Sequence, residues 1–179
     1  MRYFNTTGPV DPRDHYCLPP LERLDLPHLL TLIRQKRYFV LHAPRQTGKT
    51  SCLFALRDHL NASGDYRCVY LNVEVGQSAR EDVEGAMRAI LGQLAVWAEH
   101  SLNDDFVSHH WLDVLHQHGP HGALVEILGR WSANAPEPLI LLIDEIDTLI
   151  GDTLISVLRQ LRAGYALRPA RFPQSVILC

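Results

Sequence analysis

Eight consecutive residues, Ala43-Pro44-Arg45-Gln46-Thr47-Gly48-Lys49-Thr50, place a glycine, a lysine and a hydroxyl at the spacing GxxxxGK[ST], with alanine at the first position. Such a loop works by pointing backbone N–H groups at phosphate oxygens at the positive end of a helix. Gly48 lets the backbone approach closely, Lys49 brings charge to the β- and γ-phosphates, and the Thr50 hydroxyl is a magnesium ligand. Pro44, Arg45, Gln46, Thr47 and Ser51 complete the expected phosphate surroundings. Ala43, unlike glycine, resists positive φ, so loop geometry at that position is the point to examine.

A second constellation is Leu139-Ile140-Leu141-Leu142-Ile143-Asp144-Glu145, an apolar run closed by two acids. In a parallel sheet, ligands sit at the carboxyl ends of strands. Asp144 is therefore expected beside the phosphate loop, holding magnesium, and Glu145 is placed to polarise a water for attack on the γ-phosphate. Asp147, a third acid, reads as a capping or surface residue. Guanine-nucleotide switches carry an N-K-x-D segment, absent here. The adjacent glutamate is usually missing from small-molecule kinases, so the pair points to ATP, either hydrolysed or used as a switch.

The elements around these motifs have the required order. Tyr38–Leu41 is a β-prone run immediately before the loop, and Thr50–Leu60 is helical immediately after it, stopped by Asn61-Ala62-Ser63-Gly64-Asp65. Leu21–Lys36 has helical spacing, Cys68–Val73 reads as a strand, and Ala79–Glu99 as a long amphipathic helix. Helices over 103–118 and 122–131 follow, then the strand 139–143, a helix over 152–162 and a strand over 175–179. Alternating strands and helices predict an α/β fold, a three-layer sandwich with a mainly parallel sheet. The strands are continuous apolar runs, as expected when both faces are covered. The division expected is an arm and helix over 1–36 and a nucleotide-binding core over 37–179.

Composition fits this. The chain has 179 residues, 46% hydrophobic and 21% charged, with net charge -3, so nucleic acid is not indicated by charge. No apolar run is long enough to span a bilayer and the N-terminus lacks a secretion signal, which points to a cytoplasmic protein without membrane partners. Cys17, Cys52, Cys68 and Cys179 are widely spaced and read as free thiols. His109, His110, His116, His118 and His121 straddle the Gly119-Pro120 break and read as a solvated helix end rather than a metal site. Trp97, Trp111 and Trp131 read as packing residues, and Arg159, Arg162, Arg168 and Arg171 as a basic surface.

With both motifs placed, the chain resembles the AAA-like P-loop ATPases with a catalytic glutamate, and within them bacterial AAA-like proteins and the signal-transduction (STAND) ATPases. The resemblance rests on A-P-R-Q-T-G-K-T, L-I-L-L-I-D-E-I-D and the stretch His15–Arg23. It implies ATP/ADP and Mg2+ as ligands, Lys49 and Glu145 as catalytic groups, and Thr50 and Asp144 on the metal. It further implies that Tyr16, Leu18 and Pro19 border the adenine and that Asn72 restrains the catalytic glutamate as a sensor. In the family's sheet the fourth strand lies between the first and third, and a sensor, a fifth strand and a helical domain follow. A chain stopping at Cys179 is on that pattern expected to be a fragment. The functions implied are an ATP-dependent switch acting with an appended effector domain or as a homo-oligomer, an oligomeric motor on nucleic acid or protein, and a non-hydrolysing scaffold.

Overall fold

A computed structural model describes residues 3, 4, 11, 13–16, 18–44 and 46–179; Cys17 and Arg45 are outside this set. Four strands, β1 (Phe39–Val40), β2 (Arg67–Asn72), β3 (Leu139–Asp144) and β4 (Ser175–Leu178), form one sheet in the order β1-β4-β3-β2. All three pairings are parallel. The fourth strand therefore lies between the first and third, as the resemblance implies.

Helices cover both faces, because alternate residues of β2 and β3 are apolar in both directions. Cys68, Tyr70, Ile140 and Leu142 face α1 (Leu26–Arg34) and α2 (Lys49–Ser63), where Leu29, Ile33, Leu53, Leu56 and Leu60 are buried. Val69, Leu71, Leu141 and Ile143 face the layer made by α3 (Val83–Leu102), α4 (Phe106–His118), α5 (Ala123–Asn134) and α6 (Gly151–Gly164). Each large aliphatic side chain so buried contributes roughly 1.5–3 kcal/mol of transfer free energy.

Two expected helices start later than their apolar spacing implies, each at an aspartate that satisfies first-turn N–H groups better than a continued helix would. Residues 20–23 form a short 3-10 turn, and α1 begins only after Asp25, whose carboxylate accepts the His28 N–H. Likewise residues 74–79 are a 3-10 turn, and α3 begins after Asp82, which accepts the Gly85 N–H. The first strand is also shorter than its β-prone run, with only two residues paired, although the Leu41 N–H still reaches the Leu178 carbonyl at 2.8 Å.

Side-chain amides tie the layers together. Asn61, near the end of α2, donates to the Cys68 carbonyl at 3.0 Å and accepts the Cys68 N–H at 2.6 Å, along the outer edge of β2. Buried Gln160 of α6 accepts the Leu124 and Val125 N–H groups at 2.8 and 3.2 Å, and donates to the Pro120 carbonyl and Ser156 Oγ. It thereby caps the first turn of α5, which has no cap of its own. Replacing Gln160 by methionine keeps the volume and strands these groups without water. Stability should fall by about 2 kcal/mol, read as a lower denaturant midpoint at unchanged slope.

Candidate functional site at the carboxyl ends of β1 and β3

The loop between β1 and α2 takes its shape from two left-handed residues, Gln46 at φ 59° and Gly48 at φ 78°. Ala43 is not one of them, so the alanine that replaces the pattern's glycine carries no conformational cost. Gly48 immediately precedes α2 and offers no side-chain cap, so the positive end of the helix dipole faces the loop. Thr47 Oγ1 donates to the Pro44 carbonyl at 2.7 Å, which tightens the turn, and Lys49 Nζ donates to the Ala43 carbonyl at 3.1 Å. The lysine thus lies along its own loop. Arg45 falls outside the described residues.

Across the loop, Asp144 ends β3 at 1% exposure. A buried carboxylate is tolerated only when its oxygens are hydrogen-bonded, and these are. Oδ1 accepts the Glu145 N–H at 3.1 Å, while Oδ2 accepts the Thr50 hydroxyl at 2.8 Å and the Tyr70 hydroxyl at 3.0 Å. The two expected metal residues are therefore in direct contact. Because Thr50 gives its proton to Asp144, its oxygen lone pairs stay free for a cation, which is the arrangement a magnesium ligand needs. Magnesium commonly takes one or two protein oxygens and completes its octahedron with phosphate and water; Thr50 and Asp144 fit that pattern.

Glu145 follows in the left-handed region, at φ 59°. A non-glycine residue there is uncommon and is held by its surroundings. Here Asp144 Oδ1 takes its N–H, and its carbonyl accepts both the Thr148 N–H at 3.0 Å and the Thr148 hydroxyl at 2.6 Å. The Glu145 carboxyl is held above the usual range by partial burial first, then by the negative charges of Asp144, Asp147 and Glu74, with Lys49 opposing them. Asp147 is exposed, in the short turn after β3.

Asn72 pairs in register with Asp144, and its Oδ1 accepts the Glu74 N–H at 2.8 Å. That oxygen is committed to the turn after β2, and no hydrogen bond from Asn72 to Glu145 occurs among the described residues. A cavity of about 300 Å³ beside the loop is lined by Arg23, Leu24, Asp25, Leu29, Leu41, His42, Ala43, Thr47, Lys49 and Cys52. Tyr16 and Leu18 do not line it. Both are exposed, and Tyr16 packs on Phe4 with ring centroids 5.0 Å apart. Arg23, Leu24, Asp25 and Leu29 supply one wall of this cavity, at the end of the Pro20–Arg23 turn and in the start of α1. Arg23 donates to the Thr47 carbonyl and spans the loop from this side.

Two participants escape pattern reading, Tyr70 and Arg23. A tyrosine in an apolar strand is an ordinary β-former, and only the fold brings it to Asp144. The histidines are dispersed: His118 Nε2 lies 3.1 Å from Arg130, and His121 Nδ1 lies 3.1 Å from Ser156 Oγ. Trp131 is buried, with its indole N–H on Asp104 at 2.9 Å.

The family model described as Nephrocystin 3, N-terminal, matches residues 27–169. The chain belongs to this family. The match includes the phosphate loop, Asn72, Tyr70, Asp144 and Glu145, and stops short of β4. Among solved structures, a chain in the structure of Drosophila ORC bound to DNA superposes with a TM-score of 0.50 at 16% identity, over 99% of this chain and 47% of that one. This family member therefore spans about half the length of that neighbour, and the likeness is one of fold alone. No curated protein sequence matches the chain. No helix among the described residues is long and apolar enough to cross a membrane.

Proposed function

We propose that this domain binds ATP with magnesium and serves as a nucleotide-dependent switch of the STAND type, with hydrolysis carried out by the complete protein in the cytoplasm. The observation that carries the reading is the Thr50–Asp144 hydrogen bond of 2.8 Å between the phosphate loop and the acidic strand end. Two motifs far apart in sequence meet with the polarity that a metal-bound triphosphate requires.

In this reading the uncapped N–H groups at the start of α2, with the loop residues Pro44, Arg45, Gln46, Thr47 and Ser51, cradle the phosphates. Lys49 leaves the Ala43 carbonyl to pair with the β- and γ-phosphates, and Thr50 and Asp144 hold the metal. Bound magnesium would neutralise charge on the phosphates. Glu145 takes a proton from the attacking water; burial and the neighbouring negative charges raise its pKa, which makes it a stronger base than a free glutamate. The apolar wall of Leu24, Leu29 and Leu41 is the better place for the base than Tyr16 and Leu18. Asn72 acts through the turn that carries Glu74, opposite Glu145. An appended effector domain or a second copy would read the state of the loop.

The deciding experiment measures ATP affinity by calorimetry in magnesium for the chain and for Lys49→Ala. Losing a charge-assisted contact to phosphate should weaken binding roughly a hundredfold, about 3 kcal/mol. Equal affinities, or no binding by the unaltered chain, would refute the assignment.

A further inference from the structure

Asp144 Oδ2 has two hydroxyl donors, and they differ in what happens when a cation arrives. Thr50 would share its oxygen between a cation and the proton it gives to Asp144. Tyr70 reaches Asp144 from the neighbouring strand, two residues below the register partner Asn72, and has no phosphate or metal to attend to. It is a fixed hydrogen-bond donor to the carboxylate.

The ring of Tyr70 is itself clamped. Phe54 of α2 meets it edge-on at 4.6 Å and Trp97 of α3 meets it edge-on at 5.0 Å. Phe54 and Trp97 lie 5.6 Å apart, and the Arg57 guanidinium sits over both, at 4.9 and 5.6 Å from their centroids. The Trp97 indole nitrogen is buried and without a hydrogen-bond partner, so packing alone fixes the indole. The phenol is thus in ring contact with both Phe54 and Trp97.

We propose that Tyr70 is a positioning residue for the metal-end carboxylate: its hydroxyl aims Asp144 Oδ2 at the divalent ion and transmits the arrival of that ion to the Phe54–Trp97 cluster on α2 and α3. The inference rests on the nucleotide-binding reading above and adds a route from the phosphate site to the outside of the opposite helical layer, where His100 packs edge-on against Trp97 at 5.6 Å. It gives a switch domain a place at which its metal-loaded state is felt away from the nucleotide.

The test uses the whole chain, ATP and magnesium. ATP affinity is measured in EDTA and at rising magnesium for the unaltered chain, Tyr70→Phe and Trp97→Phe, with indole emission followed in parallel. Without magnesium, Tyr70→Phe should bind ATP within about twofold of the unaltered chain, because the loop is untouched. Its magnesium midpoint should rise about tenfold, the usual scale for losing a group that orients a metal ligand. In the unaltered chain, adding magnesium to the ATP-bound protein should change the emission, and that change should vanish in both variants. A purely structural phenol would lower the melting temperature and leave the magnesium midpoint where it was; that result overturns the proposal. So does an emission blind to magnesium in the unaltered chain, a measurement that stands even if Tyr70→Phe fails to fold. Failure of the unaltered chain to bind ATP at all would instead sink the function from which the proposal starts.

Discussion

Glu145→Gln is expected to reduce ATP turnover by about a thousandfold while ATP affinity changes by less than about threefold. Glutamine keeps the size of the side chain and its left-handed backbone, which the Asp144 and Thr148 contacts hold independently of the carboxylate. What it removes is the proton acceptor, so the loss falls on kcat. The pH dependence follows from the same site. The folded-state carboxyl is raised by burial and by Asp144, Asp147 and Glu74, so the base is still protonated at a pH where a free glutamate is ionised. Turnover should rise with pH through that raised value, and its acid limb should lie above the ordinary glutamate range. Asp147→Asn removes one of the raising charges and should move the limb to lower pH. Turnover by Glu145→Gln equal to that of the unaltered protein would remove Glu145 from the mechanism.

The largest stability effect should come from a single methyl group at Gly164. A Cβ built there would stand 2.2 to 2.4 Å from ring atoms of Phe172, which is fully buried. The backbone itself is helical, at φ -75°, so alanine suffers no torsional penalty. The whole effect is steric. Phe172 is enclosed by the core of the α3–α6 layer and cannot retreat, and Gly164→Ala should cost about 3 kcal/mol or more. Pairing it with Phe172→Leu separates collision from other causes. If the ring is what objects, the double variant will be more stable than the sum of the two single losses. Additive losses, or a Gly164→Ala variant as stable as its parent, would contradict this packing.

The sequence was informative where a short pattern and a periodicity coincide. Leu139–Ile143 is apolar at every position because both faces of β3 are covered, and the two acids that follow could only lie at a carboxyl end. The phosphate loop needed one glycine and one lysine between a strand and a helix, and both neighbours were visible in the pattern of Tyr38–Leu41 and Thr50–Leu60. What stayed hidden depends on contacts between distant residues. Nothing near Tyr70 indicates that its hydroxyl meets a carboxylate, and nothing near Gln160 indicates that it caps another helix. The first position of the loop invited concern about Ala43, yet among the described residues of the loop the left-handed ones are Gln46 and Gly48. The turn over Pro20–Arg23 brings Leu24 and Leu29 to the cavity beside the loop, a placement that apolar spacing alone does not reveal. Helix starts at Asp25 and Asp82 were readable in principle from the aspartate caps, but apolar spacing upstream of each outweighed them.

The Asn61 amide on the outer margin of β2 bears on how the molecule meets others of its kind. An open strand border is a template on which foreign strands can accrete, and unprotected borders are a common origin of aggregates. On the β2 side, the Cys68 N–H and C=O that would seed such growth are already satisfied within the chain. At the opposite margin β1 is only two residues long and Val40 is largely exposed. Lateral extension of the sheet is thus opposed on the β2 flank, and the β1 flank is the side on which a further strand can be received.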